Sequence, residues 1–177
     1  MTHEPSAHAG RYRPQSGVSL SIVLLVLRDK PGINDMTCRR GYLRALRDRG
    51  IADHYFAGSH LMREQAAAAA SDLLRRHPCV TALFCCNDET AIGVMQAAPS
   101  LSRRIPDELS IVGFDDIDPA AHVAPALTTM SVDKVSMGRL AVQLLAQRVE
   151  FPDASCVTAV LRLTLVERQS VRSIGVN

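Results

Sequence analysis

Apolar runs of strand length alternate with stretches of helical period along this chain, and that alternation restricts the fold to a parallel sheet flanked by helices. Residues 21–27 are a continuous Val/Leu/Ile run, the pattern of a strand covered on both faces. Residues 35–49 read as a helix closed by Gly50, with arginines in its last turns to complement the helix dipole. A short strand at 52–56 and an alanine-rich helix at 63–76 follow. Next come a strand at 81–86, a helix at 89–98 and a strand at 110–114. Residues 128–132 form another strand. Residues 134–149 form a helix with Met137, Leu140, Ala141, Leu144 and Leu145 on one face, and 157–165 read as a closing strand. Parallel neighbours joined this way require right-handed crossovers. The expected class is α/β, with an open, mostly parallel sheet and helices on both faces.

A chain of 177 residues, 47% of them hydrophobic, is long enough to bury one real core. Its formal charge of +2 is spread without a broad basic stripe, so composition gives no support for nucleic-acid binding by this chain itself. Arg40, Arg44 and Arg47 fall on one side of a helix, and a solvated face opposite Leu43 and Leu46 is the simpler account of them. Five cysteines, with no Cys-x-x-Cys pair and no zinc-ligand spacing, fit a reduced, cytoplasmic setting. Cys85 and Cys86 lie in a strand and face opposite ways, as small hydrophobes rather than a redox pair. The apolar run near residues 18–27 is too short to span a bilayer. It is followed by Arg28-Asp-Lys-Pro-Gly, without a small-residue cleavage pattern, and reads as a buried strand instead of a signal peptide.

Chemistry concentrates at two strand ends. The run at 82–86 finishes on Asn87 and Asp88, and the run at 109–114 finishes on Asp115 and Asp116. In an open α/β sheet the ligand crevice lies outside the carboxyl ends of the strands, which gives these four residues one pocket to share. Asp88 has a simple structural reading as the cap of a helix beginning at Glu89. Asn87 offers both a donor and an acceptor to a ligand hydroxyl. Asp116 reads as structural, satisfying backbone amides in the turn towards Pro119. Carboxylates at parallel strand ends also suit a magnesium ion, hence a phosphotransfer or hydrolase domain. Against that stands the lack of a Gly-x-Ser-x-Gly elbow or a Gly-rich phosphate loop. Lys134, at a helix start, reads as a surface lysine.

Three separated segments, "TALFCCNDETAIGVMQA", "RRIPDELSIVGFDDID" and "PALTTMSVDKVSMGRLAVQLL", resemble the carboxyl-terminal half of the lactose/galactose repressor family of bacterial transcription regulators. The likeness extends to "RRGYLRALRDRGI" upstream and "LTLVERQSV" downstream, roughly residues 19–171. It implies a periplasmic-binding-protein-like (type I) lobe with an incomplete second lobe, sensing a sugar-like small molecule, forming homodimers and controlling a separate helix-turn-helix domain. No enzymatic activity, cofactor or metal is implied. By the same resemblance, residues 1–18 are a loose polar lead-in and 19–131 the effector-binding lobe. Residues 132–161 are a crossover helix and strand belonging to an otherwise missing amino-terminal lobe, and 162–177 a return strand and tail. Thus the expectation is a truncated regulator that reaches operator DNA only through a domain outside this chain. Asn87 and Asp115 match the family positions that hydrogen-bond the effector, with Asp88 and Asp116 beside them, while Gly93 lets its helix pack closely. Glu89, Ile92, Met95, Gln96, Ala121 and His122 match the dimer surface. The family commonly places an arginine three residues before the glycine of its Gly-Tyr or Gly-Phe pair. Here that position is Cys38, with Arg39 next to it, and a helix turns about 100° per residue, so Arg39 points elsewhere. A sugar-binding protein of an ABC transporter shares the two-lobed fold and is the nearest rival.

Overall fold

The computed structural model describes residues 22–26, 33–51, 54–58 and 63–173. The alternation becomes β1 (Ile22–Val26), α1 (Ile33–Asp48), β2 (His54–Gly58), α2 (Arg63–Arg76), β3 (Ala82–Cys85) and α3 (Asp88–Ala97). It continues through a 3-10 turn (Ala98–Leu101), β4 (Ser110–Asp115), α4 (Asp118–His122), β5 (Thr128–Val132), α5 (Lys134–Glu150) and β6 (Leu163–Val166). One six-stranded sheet runs in the order β2-β1-β3-β4-β5-β6. All pairs are parallel except β5 with β6. The step from β1 to β2 goes one way along the sheet and the steps to β3 and β4 go the other. Right-handed crossovers therefore put α1 on one face and α2 and α3 on the opposite one.

The core follows from strand alternation. Leu83 and Cys85 on β3 and Ile111 and Gly113 on β4 are buried, while their neighbours in sequence are half-buried. Leu83 stands beside Ile111 in the register, so one row of side chains meets Leu73, Ala70, Ile92 and Val94 of α2 and α3 in a single cluster. Burial also pushes the Cys85 thiol pKa up, as a small apolar residue in that row requires. At the end of α1, Gly50 adopts φ 65°. Ile51 N–H reaches Leu46 O at 2.9 Å and Gly50 N–H reaches Arg47 O at 3.1 Å, closing the helix with a Schellman turn. Leu46 is buried and Arg40, Arg44 and Arg47 are exposed, the division that the spacing predicts.

Several boundaries depart from the sequence reading: the helix read at 35–49 runs Ile33–Asp48 and the strand read at 52–56 is His54–Gly58. The predicted helix at 89–98 begins one residue earlier, at Asp88, because Asn87 and not Asp88 is its cap. The predicted strand at 157–165 is ordered only as Leu163–Val166. Residues 155–162 find no ladder partner among the described strands, although their β-branched composition is strand-like. The side chains of residues 22–26, including the apolar run read as buried on both faces, lie outside those described.

Two glycines in helices sit in opposite surroundings. A methyl group on Gly93 would fall on the backbone carbonyl of Arg63 at the start of α2, whereas one on Gly138 in α5 meets nothing within 4 Å. Gly93→Ala is thus expected to destabilise the fold by about 1–3 kcal/mol through overpacking against backbone. Gly138→Ala should stabilise it by up to about 1 kcal/mol through helix propensity. Urea unfolding of both variants checks the pair, and equal shifts of the same sign would contradict this account of α2 against α3.

Candidate functional site

The site grows from the ends of β3 and β4. The parallel register of β3 and β4 ends with Phe84 beside Val112, and just beyond it the two chains carry Asn87 and Asp88 on one side and Asp115 and Asp116 on the other. Sequence separation is cancelled by strand pairing, and four polar residues gather at the carboxyl ends of two central strands. Each then does something different.

Asn87 has an extended backbone, φ −155° and ψ 168°, and its side-chain oxygen accepts from Thr90 N–H at 2.8 Å. That fixes the amide's orientation and leaves its NH2 as the group to present to a ligand. Asp88 is fully buried. Its Oδ1 accepts the Thr129 hydroxyl at 2.6 Å and its Oδ2 accepts Ile117 N–H at 2.9 Å, so one carboxylate ties the head of α3 to β5 and to the loop before α4. Burial raises its pKa, against the lowering effect of those hydrogen bonds, and the Asp116 charge adds to the rise. The carboxylate also lies against Gly113, where a methyl group would strike its Oδ1. Asp88 is therefore a structural brace, and the capping role expected of it passes to Asn87.

Asp115 and Asp116 both have left-handed backbone, φ 107° and 51°. Non-glycine residues there cost on the order of 1–3 kcal/mol each and persist only where the surroundings impose them. Asp116 pairs with Arg168, Oδ1 to Nη2 at 2.7 Å, and the same guanidinium donates from Nη1 to Leu127 O at 2.8 Å. Burial works against ionisation of Asp116, but the Arg168 hydrogen bond and charge outweigh it and hold the carboxyl below its usual range. The sequence reading gave Asp116 to backbone amides of the Pro119 turn; the structure gives it to Arg168 instead. Asp115 keeps its carboxylate half-buried, and its pKa is raised by burial first and by the Asp88 charge second, with Lys134 opposing. Lys134 is not a bystander on the surface, because its ammonium donates to the carbonyls of both Asp115 and Asp116.

Lys134 and Arg168 are the site residues that sequence reasoning did not assign. The only signal available was their position, Lys134 just after β5 and Arg168 just after β6. Arg39 lies at the exposed surface of α1, and the side chain of Cys38 lies outside those described. Of the six residues matched to the dimer surface, Gln96, Ala121 and His122 are exposed and Glu89 is half-exposed, held by Arg63. Ile92 and Met95 must be corrected. They are 1% and 7% exposed, turned into the core cluster by the helical phase that puts Gln96 outside. No group of three or more His, Cys, Asp or Glu among the described residues is placed to hold a metal ion. Of the carboxylates at the strand ends, Asp88 and Asp116 are already committed to hydrogen-bond partners.

This geometry, an open parallel sheet with polar groups at the ends of β3 and β4, has close counterparts. The model of the periplasmic binding protein-like domain matches residues 21–171. The chain belongs to that family. Within it, the likeness is to the effector-binding portion of lactose/galactose repressor-type regulators. The ribose operon repressor of Haemophilus influenzae is 39% identical over 137 residues, which is 76% of this chain and 41% of that relative. The HTH-type transcriptional repressor PurR of Mannheimia succiniciproducens is 33% identical, again over 41% of its length. The chain thus spans about two fifths of the relatives it matches. A LacI family transcriptional regulator from Arthrobacter sp. FB24, solved in complex with lactose, superposes with a TM-score of 0.74 at 27% identity. The superposition covers 87% of this chain and 57% of that one. A transcriptional regulator CelR–cellobiose complex superposes at 0.76 with 26% identity, covering 84% and 46%. These relatives are transcription regulators rather than enzymes. Among the described residues no helix is long and apolar enough to cross a membrane.

The Asp116–Arg168 pair has a definite pH signature. Asp116 has a depressed folded-state pKa, so its stabilisation is complete above the unfolded-state value of about 3.9 and is lost as pH falls through the lower folded value. Arg168→Met should accordingly lose stability relative to the parent near pH 7, with the gap narrowing below about pH 4. Urea unfolding across that range checks it, and a gap that does not change with pH would assign the loss to the Leu127 contact alone.

Proposed function

We propose that this chain is the effector-sensing part of a cytoplasmic bacterial transcription regulator, binding a small sugar-like molecule at the ends of β3 and β4. The observation that carries this reading is that Asn87 and Asp115 stand at the ends of adjacent strands, β3 and β4. One has a fixed amide and the other a partly buried carboxylate, each with hydrogen-bonding capacity still to be met. Such groups suit vicinal hydroxyls, and relatives that include a ribose operon repressor and regulators solved with ribose, lactose or cellobiose point to the same ligand class. The protein does no chemistry on the ligand in this reading. DNA recognition belongs to a helix-turn-helix domain outside this chain.

Removing a hydrogen-bond partner from a buried polar group costs roughly 1–3 kcal/mol. Alanine at Asn87 or at Asp115 should therefore weaken sugar binding about tenfold or more. Calorimetry with D-ribose, lactose and cellobiose measures it. Heat from none of the three with the parent chain, or equal affinity in both variants, would remove these residues from the proposed role. Cys38→Arg, which restores the family's usual side chain at that position of α1, should raise the affinity.

The division into lobes follows as part of the same proposal. Residues 19–131 form the effector lobe, 132–161 cross over to a second lobe, and 162–177 return. What supports it is α5, none of whose residues is buried. Val135, Met137, Val142, Leu145 and Val149 are between 48% and 74% exposed. Each large apolar side chain gains about 1.5–3 kcal/mol on full burial, so a helix of this composition is built to be covered. Self-association is assigned elsewhere, to the exposed Gln96, Ala121 and His122 with the half-exposed Glu89. Hydrogen exchange followed from low to high micromolar concentration, with light scattering for the mass, should show protection growing over α3 and α4 as dimers form. Residues 134–160 should exchange fast throughout. A monomeric mass at every concentration would count against the dimer, and slow exchange of α5 in that monomer against the crossover.

A further inference from the structure

The two segments that bracket residues 135–165 converge on one short turn. Lys134, the first residue of α5, donates from its ammonium to the Asp115 and Asp116 carbonyls, the latter at 3.1 Å. Arg168, two residues beyond β6, clamps the Asp116 carboxylate at 2.7 Å. Arg168 is itself fixed at two further points, by its backbone N–H on Thr128 Oγ1 at 2.9 Å and by Nη1 on Leu127 O at 2.8 Å. The following residues continue the attachment. Gln169 N–H bonds Ala126 O at 2.9 Å, and the Ser170 hydroxyl accepts Thr128 N–H at 2.8 Å while donating to Ile111 O at 2.6 Å.

The turn they hold has two consecutive aspartates at positive φ. Neither residue adopts that backbone by preference, and besides these contacts the turn is anchored by Ser131, which pairs with Asp115 in the ladder and bonds the Asp116 side chain, and by Asp88 accepting Ile117 N–H. A lysine reaching two successive carbonyls and an arginine gripping the side chain between them are the contacts that over-determine such a conformation.

We propose that Lys134 and Arg168 are positioning residues that hold the Asp115–Asp116 turn left-handed, so that the segments leaving and re-entering this lobe set where the Asp115 carboxylate points. Movement of the start of α5 or of the strand end at Arg168 then rotates Asp115, and a ligand held by Asp115 biases those segments in return, as linkage requires. The consequence for a ligand rests on the function proposed above, but the control of the turn does not.

The experiment separates the two. Backbone chemical shifts of Asp115 and Asp116 in the isotope-labelled full chain report left-handed φ with no ligand present. Lys134→Met alters an exposed side chain and should leave the core folded, with the amides of Leu73 and Ile92 unmoved. It should shift Asp115 and Asp116 away from left-handed values. Arg168→Met should do the same with a rise in the Asp116 pKa, and Arg168→Lys should recover part of the shift, since one ammonium can meet Asp116 or Leu127 but not both. Left-handed shifts retained at both aspartates in a folded Lys134→Met, Arg168→Met double variant would overturn the proposal. A turn that relaxes as described, in a chain for which calorimetry finds no sugar, would uphold the positioning role and defeat the effector reading instead.

Discussion

A carboxylate fully withdrawn from water holds the ends of the central strands together. Asp88 satisfies one oxygen with the Thr129 hydroxyl of β5 and the other with the Ile117 amide, and it does so from the first turn of α3. Burying a charge this deeply is unfavourable unless its lone pairs are met, so the three elements must keep their relative places. Gly113 is part of the same arrangement, for only a residue without a side chain leaves room for the Asp88 oxygen beside β4. The positions of the strand ends therefore follow from a polar contact, on top of the apolar packing of α2 and α3 that holds the sheet below.

With that brace in place, division of labour among the four polar residues follows. Asn87 is committed by one atom to the helix cap and keeps its other group available. Asp116 is neutralised by Arg168. Asp115 is left as the carboxylate without a cationic side chain bonded to it, half-buried and raised in pKa by its surroundings. Perturbed acids cluster where ligands bind, because the same partial burial that unsettles a free carboxylate makes a hydrogen-bonding ligand welcome there.

The opposite end of the economy of burial is α5. Most of its large apolar side chains stand in solvent and none is buried, although its pattern is that of a helix with one covered face. Yet the residues on either side of it are bound firmly, Lys134 to the aspartate turn and Arg168 to Ser170 to the strands. A segment anchored at both ends and exposed along its length is suited to carrying the position of whatever covers it to the aspartate turn. That is why the turn, rather than the helix, is the place to look for communication.

The sequence alone determined the element order, the parallel sheet and the helix faces, since strand runs and helical period are local properties of side-chain spacing. It also placed Asn87 and Asp115 at strand ends, and the motifs about them carried the family likeness that the matched relatives bear out. Helix phase in the sequence showed which arginines of α1 face water. It did not show that Ile92 and Met95 belong to the core, because α3 is apolar on nearly every side and only packing against α2 and the sheet chooses the outward stripe. Tertiary structure alone decided which carboxylate does what. Asp88 and Asp116 are indistinguishable by composition from Asp115, and their roles come from Thr129, Ile117 and Arg168, between 29 and 52 residues away in the chain. Lys134 likewise becomes more than a surface lysine only when β4 and β5 lie side by side. Local spacing sets what a segment can be, but a charge is assigned its work by the partners that folding brings within hydrogen-bond reach, and those partners leave no periodic trace.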